Sequence, residues 1–214
     1  MKILVNGESS IFETDDDVTM EELFEYLRQE LPKSQLVVRT FVVDGKELNE
    51  DEDNEEVLKK SPAGFETLDV TADPPIIVAR DVLSEWIENI PLLSNDAIKV
   101  TETLQSGDAG AGTNMLMAFI DEGINVVNSL YDISRMVKYQ TPTDAESKGT
   151  IKVLDELSNH LKELGRSLNE KDMATVGDIL EFDIAPAITN LIPMMKELRE
   201  SVVQLIEESQ ATKG

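Results

Sequence analysis

Asp178-Ile179-Leu180-Glu181-Phe182-Asp183-Ile184-Ala185-Pro186-Ala187-Ile188-Thr189-Asn190-Leu191-Ile192-Pro193-Met194-Met195 sits inside the longest run of helical periodicity in the chain, residues 169–208. Across that run Val176, Leu180, Ile184, Ala187, Leu191, Met194, Leu198, Val202 and Leu205 step by threes and fours, which puts them on one stripe of a helix. A stripe of that length needs apolar partners. Three helical segments upstream offer them, so the spacing predicts an antiparallel four-helix bundle over residues 73–208, followed by a short tail, 209–214. Pro186 and Pro193 each remove a backbone hydrogen bond, and an interior proline costs about 3 kcal/mol, so this last helix is expected to bend.

The upstream segments carry their own punctuation. Asp73-Pro74-Pro75 reads as a junction and a helix start, with Asp73 as N-cap and Pro74 at the first helical position. Trp86, Ile90, Leu93, Ala97, Val100 and Leu104 continue that helix past Pro91, where a kink or break is expected, and Trp86 is expected to be buried. A second helix runs from a Thr113 cap through Leu116, Ile120, Val127, Leu130 and Val137 to a stop at Pro142. Thr143 and Glu146 form a capping-box signature for a third, marked by Ile151, Leu154, Leu157, Leu161 and Leu164 and stopped at Gly165. Asn169 and Asp172 open the fourth, with Leu168 and Met173 placed as a hydrophobic staple.

Residues 1–72 are patterned differently. Ile3 to Val5 and Ile11-Phe12 flank Asn6-Gly7, the favoured pair for a two-residue hairpin turn. Thr19-Met20-Glu21-Glu22 is a second capping box, with Val18 and Leu23 as its staple, and Leu23, Leu27 and Leu31 follow it at helical spacing up to Pro32. Leu36 to Val43 is apolar and β-branched, Asp44-Gly45 turns it into Lys46-Glu47-Leu48, and Phe65 to Val70 reads as a last strand after a short turn at Val57-Leu58.

This order of hairpin, helix, strand, turn, strand, loop and strand resembles the ubiquitin-like β-grasp fold, most of all in Thr40-Phe41-Val42-Val43-Asp44-Gly45-Lys46-Glu47-Leu48. The expected fold class is therefore α+β: a ubiquitin-like β-grasp domain, 1–72, then the helical bundle. Carriers and modifiers of that fold end in Gly-Gly. Here the domain runs on into Asp73-Pro74-Pro75 and the chain closes on Thr212-Lys213-Gly214, so the resemblance implies the fold's other use, presenting a sheet face or edge to a protein.

Composition narrows the function. The 214 residues include no cysteine, which excludes disulfides, thiolate metal sites and cysteine nucleophiles and fits a reducing cytoplasm. Lys and Arg number 19 against 43 Asp and Glu, a formal charge of −24 that repels phosphate backbones and anionic membranes, so neither nucleic acid nor membrane is an expected partner. The opening Met1-Lys2-Ile3-Leu4-Val5-Asn6-Gly7 is too briefly apolar for a signal peptide, and a cytoplasmic, soluble protein is predicted.

Motifs for chemistry are incomplete. Gly107 to Thr113 has the outline of a phosphate loop but Thr113 where the lysine belongs, and it follows a helix rather than a strand. His160, with Glu156 four residues before it, is the sole histidine, too few for a ferritin-like two-metal site or a Ser-His-Asp arrangement. The acidic runs Asp15 to Asp17 and Glu50 to Glu56 lack the glycine of a calcium loop and read as solvated surface. No catalytic, cofactor or metal residue is therefore predicted, and no enzyme.

What remains is surface. Phe182, Pro186, Met194 and Met195 are the candidate protein-binding residues, a groove opened by the bend, although methionines filling an irregular core there is the plainer reading of Met194-Met195. Acidic bundles of this size resemble bacterial flagellar export chaperones in shape alone. The sequence thus predicts an adaptor or chaperone-like protein binding a basic or amphipathic segment of another protein, with pairing to a second copy left open. A carboxylate-rich metal-binding bundle and a ubiquitin-like carrier stand as alternatives.

Overall fold

A computed structural model describes residues 1–10, 12, 17–48, 55–106, 109–140 and 146–211. Two compact units emerge, Met1–Val78 and Ala79–Gly214. The protein is α+β: a five-stranded mixed sheet comes first and a mostly helical region follows. Among the described residues no helix is long and apolar enough to cross a membrane.

In the first unit, β1 (Lys2–Val5) turns through Asn6 and Gly7, at φ 53 and 79, into the short β2 (Glu8–Ser9). Two consecutive positive φ values are what a type I′ hairpin demands, and Asn-Gly supplies them at low steric cost. The second tight turn repeats the device. Asp44 and Gly45, at φ 48 and 81, join β3 (Val37–Val43) to β4 (Lys46–Glu47). Between the hairpins lies α1 (Met20–Glu30), whose N-cap Thr19 accepts from the Glu22 amide at 3.2 Å while the Glu22 carboxylate accepts from the Thr19 amide at 2.8 Å. A 3₁₀ turn, Leu31–Ser34, carries Pro32 in its first positions, so the chain leaves α1 by tightening rather than by stopping at that proline. A single helical turn, α2 (Glu55–Leu58), precedes β5 (Thr67–Asp73).

The strand order is β2-β1-β5-β3-β4, with β5 central, parallel to β1 and antiparallel to β3. Both tight turns are tied to β5 by the side chain of their first residue. Asn6 Nδ2 donates to the Ala72 carbonyl at 2.8 Å and Asn6 Oδ1 accepts from the Ala72 amide at 2.9 Å, so one side chain imitates a strand partner. At the other end Asp44 Oδ1 accepts from the amides of Glu66 at 2.9 Å and Thr67 at 2.7 Å. The core lies between α1 and the sheet, built from Met20, Leu23, Phe24 and Leu27 against Ile3, Phe41, Leu68 and Val70. Phe24 and Phe41 stack with centroids 4.1 Å apart and planes 10° from parallel.

The helical region corrects several sequence expectations. Asp73 closes β5 instead of capping a helix; α3 (Pro75–Gln105) begins with Pro75, and the Pro74 carbonyl accepts from Ile77 and Val78 at 2.9 and 3.2 Å. Pro75, lacking an N–H, occupies the end of a helix where none is needed. The helix continues through Pro91 without a break, and Trp86 is half-buried rather than buried. Next, α4 (Ala109–Gln140) is already helical four residues before Thr113, so the stretch that mimicked a phosphate loop is helix from Ala109 on. Gly112 explains how closely the two helices meet: a Cβ there would stand 2.7 Å from Leu104 Cδ2 and 3.2 Å from the Leu104 amide nitrogen. The expected stop at Pro142 and the cap at Thr143 lie outside the described residues, as do Ile11, Asp15, Asp16 and the greater part of the second acidic run, residues 50–54.

The third helix also outruns its expected end. Gly165 is interior to α5 (Glu146–Asn169), and Lys171, at φ 60, makes the reversal. Asp172 N donates to Ser167 O and Lys171 N to Leu168 O, each at 3.0 Å, the paired hydrogen bonds of a Schellman cap. Asp172 then caps the next helix, its carboxylate accepting from the Thr175 amide at 3.1 Å.

The fourth helix is divided. It comprises α6 (Met173–Asp178), a π turn (Ile179–Ile184), α7 (Ala185–Thr189) and, after Asn190, α8 (Leu191–Ala211). Both prolines account for this. The Pro186 ring would collide with the carbonyl four residues back in a regular α-helix, and the wide turn just before it relieves that contact, with the Ala185 amide reaching Leu180 O instead. Pro193 sits in the first turn of α8, where no intrahelical acceptor awaits its missing N–H. The π turn also keeps the stripe aligned: a step of four overshoots an α turn, and a turn holding more residues offsets that drift, so Val176, Leu180, Ile184 and Ile188 all stay buried.

Candidate functional site

The candidate residues from the sequence fall on two sides of the fourth helix. Met194 is 7% exposed and Met195 fully buried, so both belong to the interior of the second unit with Leu191, Leu198 and Val202 and offer no surface in this structure. The two methionines are thus interior positions without an exposed apolar face of their own, and the helix break at Asn190 lies just before them. The signal was present in the sequence, since Leu191, Met195, Leu198 and Val202 follow a 4-3-4 spacing that a buried stripe requires. Phe182 and Pro186, by contrast, are exposed.

Phe182 is 65% exposed, the most exposed large apolar side chain among the described residues. Its position follows from the π turn. Leu180 and Ile184 on either side point inward, and Phe182, two residues from each, faces water. Asp178, Glu181 and Asp183, all exposed, surround it in sequence, so an aromatic ring stands in a field of carboxylates.

Contacts with α3 run along the fourth helix on either side of Phe182. Ser94 Oγ on α3 donates to the Ala185 carbonyl at 3.0 Å and lies 3.1 Å from Thr189 Oγ1, and Arg199 Nε donates to Ser84 Oγ at 2.9 Å. Gly177 leaves room for Thr101, whose Cγ2 would meet an added Cβ at 3.3 Å. These three levels run in opposite senses along the two segments, so α3 is antiparallel to the one that presents Phe182. On α3 itself Leu92 and Ile98 are 61% and 40% exposed. On the other pair, α4 and α5 are antiparallel as well, with Gly123 against Leu161 and the Tyr131 hydroxyl donating to the Asp155 carboxylate. That bond, with desolvation and the Asp155 charge behind it, pushes the Tyr131 pKa up to about 12.

Among the described residues no group of three or more His, Asp or Glu is arranged to hold a metal ion. His160 is half-buried on α5, and Glu156 forms an ion pair with Lys152 at 3.7 Å. Asp172 is held below the usual carboxylate range by the Thr175 hydroxyl and amide, a capping effect.

Fold and surface together define an α+β protein with an N-terminal β domain and a helical region that carries an exposed aromatic on an acidic face. The chain belongs to the family described as Domain of unknown function (DUF8042), whose model matches residues 81–194, more than half of its length. A second family model, the TP0873 N-terminal domain, matches residues 1–73 and coincides with the sheet-bearing part. No curated protein matches the chain, and no solved structure does. Neither description assigns an activity.

Proposed function

We propose that this protein is a non-enzymatic interaction module, an adaptor or chaperone-like protein of the cytoplasm, that holds a basic or amphipathic segment of another protein. One observation carries the reading: Phe182, 65% exposed among Asp178, Glu181 and Asp183, in a chain of formal charge −24. An aromatic side chain kept in water on a braced turn is suited to become the centre of an interface, and carboxylates around it favour cationic neighbours. Long-range attraction adds to the on-rate and is screened over about 10 Å at 0.1 M salt.

Two finer structural readings belong to the same proposal. The first unit is a ubiquitin-like β-grasp domain, supported by its strand order and by α1 crossing the sheet between the two hairpins. The second is an antiparallel four-helix bundle, supported by the two antiparallel helix pairs and by the aliphatic stripe they enclose.

Affinity capture from the native source tests the function, comparing the wild-type chain with Phe182→Asp at low and at high salt. The expected result is a basic partner recovered by the wild type, diminished in high salt and lost with Phe182→Asp, whose circular dichroism is unchanged. Equal recovery by the folded variant would remove Phe182 from the interface. Recovery of the protein alone would replace the adaptor reading with self-association.

A further inference from the structure

The first unit carries a groove of its own along one flank of α1. It encloses about 620 Å³, a size that accepts a side chain or two. Phe24, Phe41, Leu48 and Leu58 line it, with Tyr26 at one margin and Glu21, Glu22 and Glu25 along α1. The floor is preformed. Phe24 and Phe41 are each 4% exposed and stacked, and the Arg28 guanidinium lies 5.4 Å from the Phe41 ring centroid. Tyr26 is 46% exposed, its ring set edge-on to Phe12.

The rim chooses the sign of the ligand. Three carboxylates and one guanidinium line it; that guanidinium is engaged over an aromatic ring, and Lys59, which feels the Glu21 charge, is paired with Glu55 at 2.8 Å. The Thr19 amide and hydroxyl hold the Glu22 pKa below the usual carboxylate range. Glu21 and Glu25 lie one helical turn apart on the same face of α1, spaced to meet two cationic side chains that flank an apolar one. Backbone pairing is not the mode of capture, since the adjacent edge strand β4 is two residues long and offers little ladder to extend.

We propose that this groove docks a short basic peptide segment of a protein partner, placing an apolar side chain on the half-buried Leu48 and Leu58 and its neighbouring Lys or Arg groups against Glu21 and Glu25. The inference rests on the reading that the partner is basic and amphipathic, and it adds a second contact surface independent of Phe182.

A fluorescein-labelled leucine–lysine peptide is the probe, titrated by anisotropy into the full chain. Glu21→Lys/Glu25→Lys should weaken its binding about tenfold or more, whereas Glu200→Lys/Glu207→Lys, an equal charge change on exposed positions of α8, should weaken it about twofold. Amide shifts in the wild-type chain should concentrate at Tyr26, Phe41, Leu48 and Leu58, a readout that needs no variant to fold. Equal loss in the two double variants, or shifts confined to the second unit, overturns the groove as the docking site. Binding retained by Glu21→Lys/Glu25→Lys but abolished by Phe182→Asp overturns it too and leaves the functional reading standing. No binding of the peptide to the wild type instead sinks the basic-partner reading itself.

Discussion

The two units reverse their chains by different chemistry. In the first, Asn6 and Asp44 adopt positive φ and each spends its side chain on the backbone of β5, so the turn and the sheet are one hydrogen-bonded object. In the second, Lys171 adopts the same left-handed backbone at φ 60, and the bonds that close the turn run between main-chain atoms, Asp172 N to Ser167 O and Lys171 N to Leu168 O. The interiors differ in parallel. One is organised around an aromatic stack, and among the described residues the buried apolar side chains of the other are aliphatic or methionine apart from Phe119. A reversal fixed by a side chain dictates which residue stands there; one fixed by the backbone asks only for tolerance of the left-handed φ, which glycine supplies best.

The sharpest break between interior and surface should come on the fourth helix. Met195→Asp puts a charge where nothing can hydrate or pair it, and a loss of more than about 4 kcal/mol is expected, enough to unfold a domain of ordinary stability. Phe182→Asp should stay within about 0.5 kcal/mol of wild type. Urea denaturation followed by Trp86 fluorescence measures both, and a stable Met195→Asp protein would show that the second unit is packed otherwise.

Glycine at Asn6 and glycine at Lys171 should act with opposite sign. Asn6→Gly keeps the backbone free to adopt its φ but orphans both polar groups of Ala72, costing about 1–3 kcal/mol. Lys171→Gly loses no such bond and relieves the left-handed strain, a gain of about 0.5–1 kcal/mol after the entropy of glycine is set against it. Two changes of the same sign in thermal melts would erase the distinction drawn between the units.

Smaller effects appear in pH. Tyr131 has a folded pKa raised from about 10 to about 12, so its contribution is present below pH 10 and disappears as pH climbs from there through 12. Tyr131→Phe should flatten the alkaline limb of the stability curve of the second unit, followed by absorbance at the phenolate band. The acid limb belongs to the caps. Glu22 in the first unit and Asp172 in the second are both lowered, by bonds to Thr19 and Thr175, so their contribution is full above the usual carboxylate range and is lost as pH falls through the lowered values. Thr19→Ala should shallow that acid loss in the first unit, measured by amide signals of α1, and leave the second unit's loss as it was.

These contrasts also explain what the sequence disclosed. Asn6-Gly7, Asp44-Gly45 and the Thr19/Glu22 box were legible because each feature depends on side-chain identity at a fixed offset, and all stand where the spacing placed them. Gly165 misled for the converse reason. Glycine signals a helix end only if positive φ or close approach is needed, and Gly165 has neither, with nothing within 4 Å of an added Cβ. Thr113 and Asp73 were read as caps from type alone, although a serviceable cap residue can equally sit inside a helix or at the end of a strand. The stripe of the fourth helix was recovered almost position for position, yet the π turn that aligns it was not, since hydrophobic spacing reports which residues face inward and not how the backbone brings them there. The same spacing put Met194 on the inner stripe, and the groove expected around it depended on a bend whose outcome only packing decides.

The parallel pairing of β1 with β5 has a mechanical consequence. These strands open and close the first unit, and they are hydrogen-bonded neighbours from Lys2↔Thr67 to Val5↔Val70. Tension applied to Met1 and Asp73 therefore draws the two strands past each other lengthwise. All the bonds between them bear the load together, where an antiparallel pair gripped at one end would peel apart bond by bond. A chain pulled at these two points resists as a lap joint does, in shear, and yields when the whole seam gives way at once.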